Sequence, residues 1–88
     1  MPDLSGKVAF VTAGATGIGF GCAQTIVASG GKVMICARRE DTLREAVEKL
    51  GPSSAWIGCD VTDDKSVDDA VAATVKKFGR LDLAVNSA

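Results

Sequence analysis

The chain of 88 residues contains no histidine and no tyrosine. Without histidine it cannot form a Ser-His-Asp triad, a Cys-His pair or an imidazole metal site. An excess of one charge is also lacking, because ten Lys and Arg residues stand against eleven Asp and Glu residues, for a net charge of −1. Such a chain lacks the overall basic field of a nucleic-acid binder, so we expect no nucleic-acid partner.

Cysteines and membrane-type segments are sparse as well. The three cysteines, Cys22, Cys36 and Cys59, are odd in number and have no C-x-x-C spacing, which argues against a disulfide framework or a zinc site. We expect three buried, reduced thiols in a cytoplasmic protein without a signal peptide. The longest uncharged stretch, residues 8–31, is broken by glycines and polar residues, so a βα unit is favoured over a membrane span and no membrane partner is expected.

Glycine, in contrast, is abundant and clustered. Ten glycines occur in the chain, and four of them lie close together at Gly14, Gly17, Gly19 and Gly21. A cluster of this kind indicates that the backbone turns tightly or closely approaches another group.

Strands and helices are predicted to alternate along the chain. Short apolar runs predict strands at 7–12, 32–37, 55–59 and 81–86. Helices are predicted at 17–29, at 40–50, and between a capping Thr62 and Gly79. Their expected inner faces are Ile18, Cys22, Ile26 and Val27 in the first helix, Leu43, Ala46, Val47 and Leu50 in the second, and Val67, Val71, Val75 and Phe78 in the third. The order βαβαβαβ predicts a parallel α/β sheet.

The handedness of the connections makes this prediction more specific. Right-handed crossovers place the first two helices on one face of the sheet, and a strand order of 3-2-1-4 places the third helix on the other face. The fourth strand would then be an apolar, unprotected edge, which is unusual for a parallel sheet. We therefore expect residues 1–88 to be the first half of a doubly wound domain, with a complete small domain as the less favoured alternative.

The glycine-rich turn is the first candidate site. It joins the first strand to the first helix, where free N–H groups and the helix dipole can hold a pyrophosphate and glycines leave room for it. Its residues are Thr12, Ala13, Gly14, Ala15, Thr16, Gly17, Ile18 and Gly19, with Thr16 of a capping type. A turn that serves only tight packing is the alternative.

The end of the second strand is the next candidate site. In dinucleotide folds an acidic residue here marks NAD, whereas an arginine accommodates the 2′-phosphate of NADP. Arg38 follows Ala37 at the strand end, and its planar fork of donors suits a phosphate. Arg39 adds charge or stacks on adenine, whereas Glu40 and Asp41 fit better as acids in the first turn of the next helix. Two solvated arginines would be the structural alternative.

Two further candidates follow the third and fourth strands. Asp60, before Val61, can accept a hydrogen bond from an adenine amino group, or it can be a helix-entry residue. Asn86, followed by Ser87 and Ala88, lies at the predicted switch point of the sheet, where ligands of open α/β folds bind. It can brace the neighbouring backbone, reach a ribose, or simply be a polar strand end.

Together these motifs resemble the short-chain dehydrogenases/reductases over nearly the whole chain. The family's T-G-x-x-x-G-x-G occupies residues 12–19, its D-V matches Asp60 and Val61, and its N-N-A-G is represented by residues 86–88. Ala13 replaces the first loop glycine, and Ser87 replaces the second asparagine.

The resemblance implies a Rossmann-type fold, hydride transfer between a nicotinamide cofactor and a small alcohol or carbonyl compound, and a homo-oligomer. It implies NADP(H) rather than NAD, because Ala37 and Arg38 stand where NAD-preferring members carry an acid. Cofactor-binding residues by resemblance are Ala13, Gly14, Ala15, Thr16, Gly17, Ile18, Gly19, Arg38, Arg39, Asp60, Val61, Asn86, Ser87 and Ala88.

The family's catalytic tyrosine belongs to a downstream Y-x-x-x-K motif. A chain without tyrosine cannot contain that motif, so no residue here is assigned a catalytic role. We expect the natural protein to continue for roughly 150 residues, as the family's size implies, and this segment alone to be inactive. A non-catalytic dinucleotide-binding or regulatory module and a non-functional fragment remain as alternatives.

Overall fold

The computed structural model describes residues 3–13 and 15–86. Seven elements follow one another in these residues: β1 Val8–Thr12, α1 Gly17–Ala28, β2 Lys32–Ala37, α2 Glu40–Leu50, β3 Ser54–Gly58, α3 Asp64–Phe78 and β4 Leu83–Asn86. The predicted order βαβαβαβ is confirmed, with strand ends displaced by one or two residues. Within the same residues no helix has the length and apolar character needed to cross a membrane.

The strands form one parallel sheet in the order β3-β2-β1-β4, as the sequence predicts. The last residue of β1, Thr12, pairs with Cys36 of β2 on one side and with Asn86 of β4 on the other. The carboxyl ends of three strands therefore lie side by side at one edge of the sheet.

Two apolar clusters hold the helices on opposite faces of this sheet. Residues of β1 and β2 alternate between them, so that Val11 and Ile35 face one cluster and Phe10 and Met34 face the other. The first cluster packs against α1 and α2, and the second packs against α3 through Ala70. This arrangement of two helices on one face and one on the other confirms the fold expected from the crossover rule.

The predicted inner face of α1 is wrong at Ile18, whose surface is 81% exposed. The buried residues of this helix are Gly19, Ala23 and Ile26, while Cys22 is only half-buried. The face turned toward the sheet is therefore formed by these three residues, and Ile18 instead lines a groove with Leu83 and Val85.

The start of α3 and one residue of its predicted inner face differ from the prediction. Asp63, rather than Thr62, is the N-cap, and its carboxylate accepts a hydrogen bond from the backbone N–H of Lys65. Val67, Val71 and Phe78 pack against the second cluster as predicted, whereas Val75 is 42% exposed and the fully buried positions are Ala70 and Thr74. The predicted end is correct, because Gly79 takes the left-handed conformation with φ 87°.

Asp82, directly before β4, is hydrogen-bonded to Val8, the first residue of β1. One carboxylate oxygen of Asp82 accepts a hydrogen bond from the N–H of Val8 at 2.8 Å, and the N–H of Asp82 donates to the carbonyl of Val8 at 2.9 Å. Arg80 donates to the same carboxylate through Nε and Nη2. These hydrogen bonds from Arg80 and Val8 hold the pKa of the Asp82 carboxyl below its ordinary value of 3.8.

We expect Asp82→Ala to lower the thermal unfolding midpoint by several degrees at pH 7, because it leaves the Val8 N–H without its acceptor. A matched Asp69→Ala substitution on the exposed side of α3 should have little effect. Since folding lowers the pKa of Asp82, its contribution is present above about pH 3.8 and is lost as the pH falls through the lower folded value. The difference between wild type and variant, measured by circular dichroism, should therefore shrink in acid; a constant difference would contradict the assignment.

Candidate functional site

In the part of the chain that the structure describes, three clefts lie along the carboxyl ends of the strands. The β1–β2 cleft is lined by Ala13, Ala15, Thr16, Ala37, Arg38, Arg39 and Thr42. The β2–β3 cleft is lined by Arg38, Glu40, Gly58, Cys59, Asp60 and Ser66. The β4–α3 cleft has Thr12, Val61 and Asn86 in its wall. Arg38 separates the first two clefts, and most of the residues predicted from sequence thus lie at one edge of the sheet.

Of the described residues in the glycine-rich turn before α1, two have positive φ, namely Ala13 with φ 53° and Gly17 with φ 60°. A Cβ atom placed on Gly17 would meet no atom within 4 Å, so this position faces open space. The first hydrogen bond of the helix joins the N–H of Phe20 to the carbonyl of Thr16. The N–H groups of residues 17–19 precede that bond and, as at any helix start, suit an anion.

Two predicted residues of this turn behave differently from expectation. Thr16 occupies the N-cap position of α1, but its side chain makes no capping hydrogen bond. Ile18 directs its side chain into an apolar groove formed with Cys22, Leu83 and Val85, outside the three clefts. Ile18 can therefore serve a ligand through its backbone N–H, whereas its side chain faces the groove. Gly14, Ser87 and Ala88 lie outside the described residues.

The two arginines after β2 each lie beside a carboxylate. Nη2 of Arg38 is 3.7 Å from Oδ2 of Asp60, across the β2–β3 cleft, and Nη2 of Arg39 is 2.9 Å from Oδ2 of Asp41. Both arginine side chains are 74% exposed. Ion pairs this exposed are weak, so the guanidinium groups remain accessible to a stronger anion. Glu40 and Asp41 occupy the first turn of α2, as the sequence predicts.

Asp60 is held in a well-defined orientation by the residues that follow it. Its Oδ1 accepts two hydrogen bonds from Thr62, one from the backbone N–H at 3.0 Å and one from the hydroxyl at 2.7 Å. The backbone N–H of Asp60 donates to Oγ of Ser66 at 3.0 Å. The hydrogen bonds from Thr62 lower the pKa of the Asp60 carboxyl, and the charge of Arg38 adds to this shift, so the group is ionised at neutral pH.

Sequence motifs do not identify Thr62 and Ser66 as site residues. The pattern that reveals Thr62 is a turn in which an Asp side chain accepts from the backbone N–H two residues later. Residues 60–62 form this turn, and the threonine hydroxyl adds a second hydrogen bond to the same oxygen. Ser66 lies in the first turn of α3, and only the folded chain brings its hydroxyl back to Asp60.

Thr12 and Asn86 join β1 to β4 at the sheet edge. The hydroxyl of Thr12 lies 3.1 Å from Oδ1 of Asn86 and 3.3 Å from the carbonyl oxygen of Val85. Of the roles open to Asn86 from sequence, bracing the neighbouring strand is the one supported by this contact. Val61, 36% exposed, lines the same β4–α3 cleft.

Two cysteines, Cys36 and Cys59, lie near the carboxyl ends of β2 and β3. All three cysteines are free thiols; Cys36 and Cys59 are buried as predicted, and Cys22 is half-buried. Burial, together with the adjacent Cys59, raises the pKa of the Cys36 thiol to about 12, so it stays protonated at neutral pH. In the described part of the chain, no group of three or more Cys, Asp or Glu side chains is arranged to hold a metal ion.

Comparison with known proteins points in one direction. Residues 7–88 match the sequence family described as short chain dehydrogenase. L-fucose dehydrogenase of Bos taurus is 44% identical over 84 residues, which are 96% of this chain and 31% of that protein. Tropinone reductase-like 1 of Erythroxylum coca is 41% identical over 85 residues, or 97% of this chain and 31% of that protein. The chain thus spans less than a third of the length of these relatives.

A solved structure is similar to this chain in fold and in sequence. It is the 3-ketoacyl-(acyl-carrier-protein) reductase from Brucella melitensis complexed with NADH, with a TM-score of 0.88 and 32% identity. The match covers 92% of this chain and 33% of that one. The four-stranded sheet described here therefore corresponds to a third of a larger reductase chain.

The left-handed Ala13 leads to a stability prediction. An alanine with φ 53° is strained, whereas glycine adopts this conformation freely. We expect Ala13→Gly to raise the free energy of unfolding by about 0.5–1 kcal/mol, because the relief of strain exceeds the added entropy of the unfolded chain.

The matched control is Ala15→Gly in the same turn. Ala15 is not among the residues with positive φ, so glycine there should lower the free energy of unfolding by about 0.4–1 kcal/mol. Urea unfolding of both variants measures the difference in sign. Equal destabilisation by the two substitutions would contradict the strained geometry at Ala13.

Proposed function

Because the chain belongs to the short chain dehydrogenase family, we propose that it is the NADP(H)-binding, amino-terminal portion of an oxidoreductase. The complete enzyme would transfer hydride between the nicotinamide and a small alcohol or carbonyl substrate. The observation that carries this proposal is the placement of Arg38 between the glycine-rich turn and Asp60, on the edge of the sheet where the strands end.

The residues present fit such a cofactor. A pyrophosphate is suited to the first turn of α1, where Gly17 offers no side chain and the small Ala13 and Ala15 line the cleft. The adenine amino group is suited to the ionised Asp60, and a 2′-phosphate to Arg38 and Arg39. When bound, the nicotinamide supplies or accepts the hydride, while these residues bind and orient the adenosine half.

The preference for NADP over NAD rests on the end of β2. An NAD-preferring site places a carboxylate there to bind the ribose hydroxyls, whereas this chain has Ala37 followed by two arginines. The reductase from Brucella melitensis was complexed with NADH, which supports a nicotinamide cofactor. The choice between NADP and NAD is thus argued from Ala37, Arg38 and Arg39 alone.

We propose that the catalytic groups lie in a part of the complete protein outside these 88 residues. The sequence contains no tyrosine, so the Y-x-x-x-K motif that carries the family's general acid and base is not among these 88 residues. Apolar side chains flank β4 without cover in the described residues, with Ile18 81% and Leu83 40% exposed. These surfaces support packing against additional elements of a larger domain. We further propose that the complete protein is a cytoplasmic homo-oligomer.

Replacing Arg38 tests the cofactor preference. Arg38→Ala removes a charge-assisted contact to the 2′-phosphate and should weaken NADPH binding by about 1.5–3 kcal/mol, or roughly 10- to 150-fold. Affinity for NADH should stay within about twofold. Both affinities are measured by isothermal titration calorimetry on the full-length protein. Arg44→Ala, which removes an exposed arginine that lies over the ring of Trp56 and lines neither cleft, is the control and should leave both affinities unchanged. An equal loss for the two cofactors would exclude the 2′-phosphate role.

The location of the catalytic groups gives a second test. We expect the gene to continue beyond the codon for Ala88 and to encode Y-x-x-x-K. The full-length protein should then oxidise NADPH with carbonyl substrates, whereas residues 1–88 alone should show no turnover. A full-length protein that binds NADPH but lacks both the motif and turnover would be a non-catalytic binding module.

A further inference from the structure

We propose that Thr62 positions the Asp60 carboxylate toward the adenine amino group and thereby sets the selectivity for adenine over other purines. This inference rests on the proposed function, because it assumes that the β2–β3 cleft receives the adenosine of a dinucleotide. It assigns to Thr62 a role that neither the family's D-V motif nor the start of α3 requires.

The hydrogen bonds of Thr62 fix one oxygen of the carboxylate. Both the N–H and the hydroxyl of Thr62 donate to Oδ1 of Asp60, at 3.0 and 2.7 Å. A carboxylate on an exposed loop otherwise rotates broadly about its last torsion angle. With Oδ1 held, Oδ2 is directed to the other side, where Nη2 of Arg38 lies 3.7 Å away. Thr62 therefore holds the carboxylate in one orientation, with Oδ2 on the side of Arg38 in the lining of the β2–β3 cleft.

The Thr62 hydroxyl has no equivalent role in capping the helix. Asp63 is the N-cap of α3, and its own carboxylate accepts from the N–H of Lys65. Thr62 itself is exposed, so its side chain adds little to the core. The backbone of Asp60 is anchored independently through Ser66. Loss of the Thr62 hydroxyl should thus loosen the carboxylate of Asp60 while leaving the path of the loop intact.

The chemistry of the cleft explains why this orientation affects selectivity. Oδ2 of Asp60 is an acceptor without a proton to donate, because the carboxyl is ionised at neutral pH. The 6-amino group of adenine is a donor and satisfies it. Hypoxanthine carries a carbonyl oxygen at that position, which places two acceptors against each other. A carboxylate held in one orientation distinguishes the two bases, and one that rotates freely does so less well.

The test uses NADPH and its hypoxanthine analogue as paired probes. Dissociation constants for both are measured with the full-length protein and with Thr62→Val, which keeps the shape but removes the hydroxyl. The wild type should prefer NADPH. Thr62→Val should weaken NADPH binding about three- to tenfold, the value of one hydrogen bond, and leave the analogue unchanged. Thr62→Ser, which retains the hydroxyl, should restore the wild-type preference.

Thr25→Val is the matched control. The Thr25 hydroxyl donates to the carbonyl of Gly21 within α1, outside the β2–β3 cleft, so its loss should alter neither constant. Equal weakening of both probes by Thr62→Val, or failure of Thr62→Ser to restore the preference, would reduce Thr62 to a structural residue and overturn the inference. A wild type that binds NADPH but does not discriminate between the probes overturns it as well. A wild type that binds neither probe overturns the proposed function itself.

Discussion

The common register of β1 with both of its neighbours is the constraint on which the site depends. Thr12 pairs with Cys36 in β2 and with Asn86 in β4, so three strands end at the same level. Because all strands run parallel, every connection returns along a face of the sheet, and every loop that follows a strand emerges at this one edge. The glycine-rich turn, the two arginines and Asp60 are neighbours for this reason, although they come from three separate parts of the chain.

The sequence predicts the elements and the edge well because both depend on strong local signals. Buried strands of a parallel sheet are continuous apolar runs, and glycines, arginines and Asp60 follow them directly. The side chains that pack are predicted less well. Ile18 and Val75 fit a helical apolar stripe but are exposed, whereas the small residues Gly19, Ala23 and Ala70 are buried. Hydrophobic periodicity gives such small residues little weight.

The contacts within the site require the folded chain. The distance between Arg38 and Asp60 depends on the pairing of β2 with β3, and the contact between Thr12 and Asn86 depends on the return of β4 beside β1. Thr62 was expected to cap α3, but Asp63 takes that role and leaves the threonine to hold Asp60. N-cap propensity ranks Asp above Thr, and the structure follows that ranking rather than the first capping residue met along the chain.

The hydrogen bonds between Val8 and Asp82 also have a consequence for the order of folding. They join residues 74 positions apart. In contrast, one helix and short loops link β1 to β2, and the same is true of β2 and β3. Closing a long loop costs more chain entropy than closing a short one, and non-local contacts of this kind slow folding. We therefore expect β1, β2 and β3 to assemble first and β4 to add last. The edge of the sheet that holds Asn86 would then be completed only in the final step, after the turn and both arginines have taken their places.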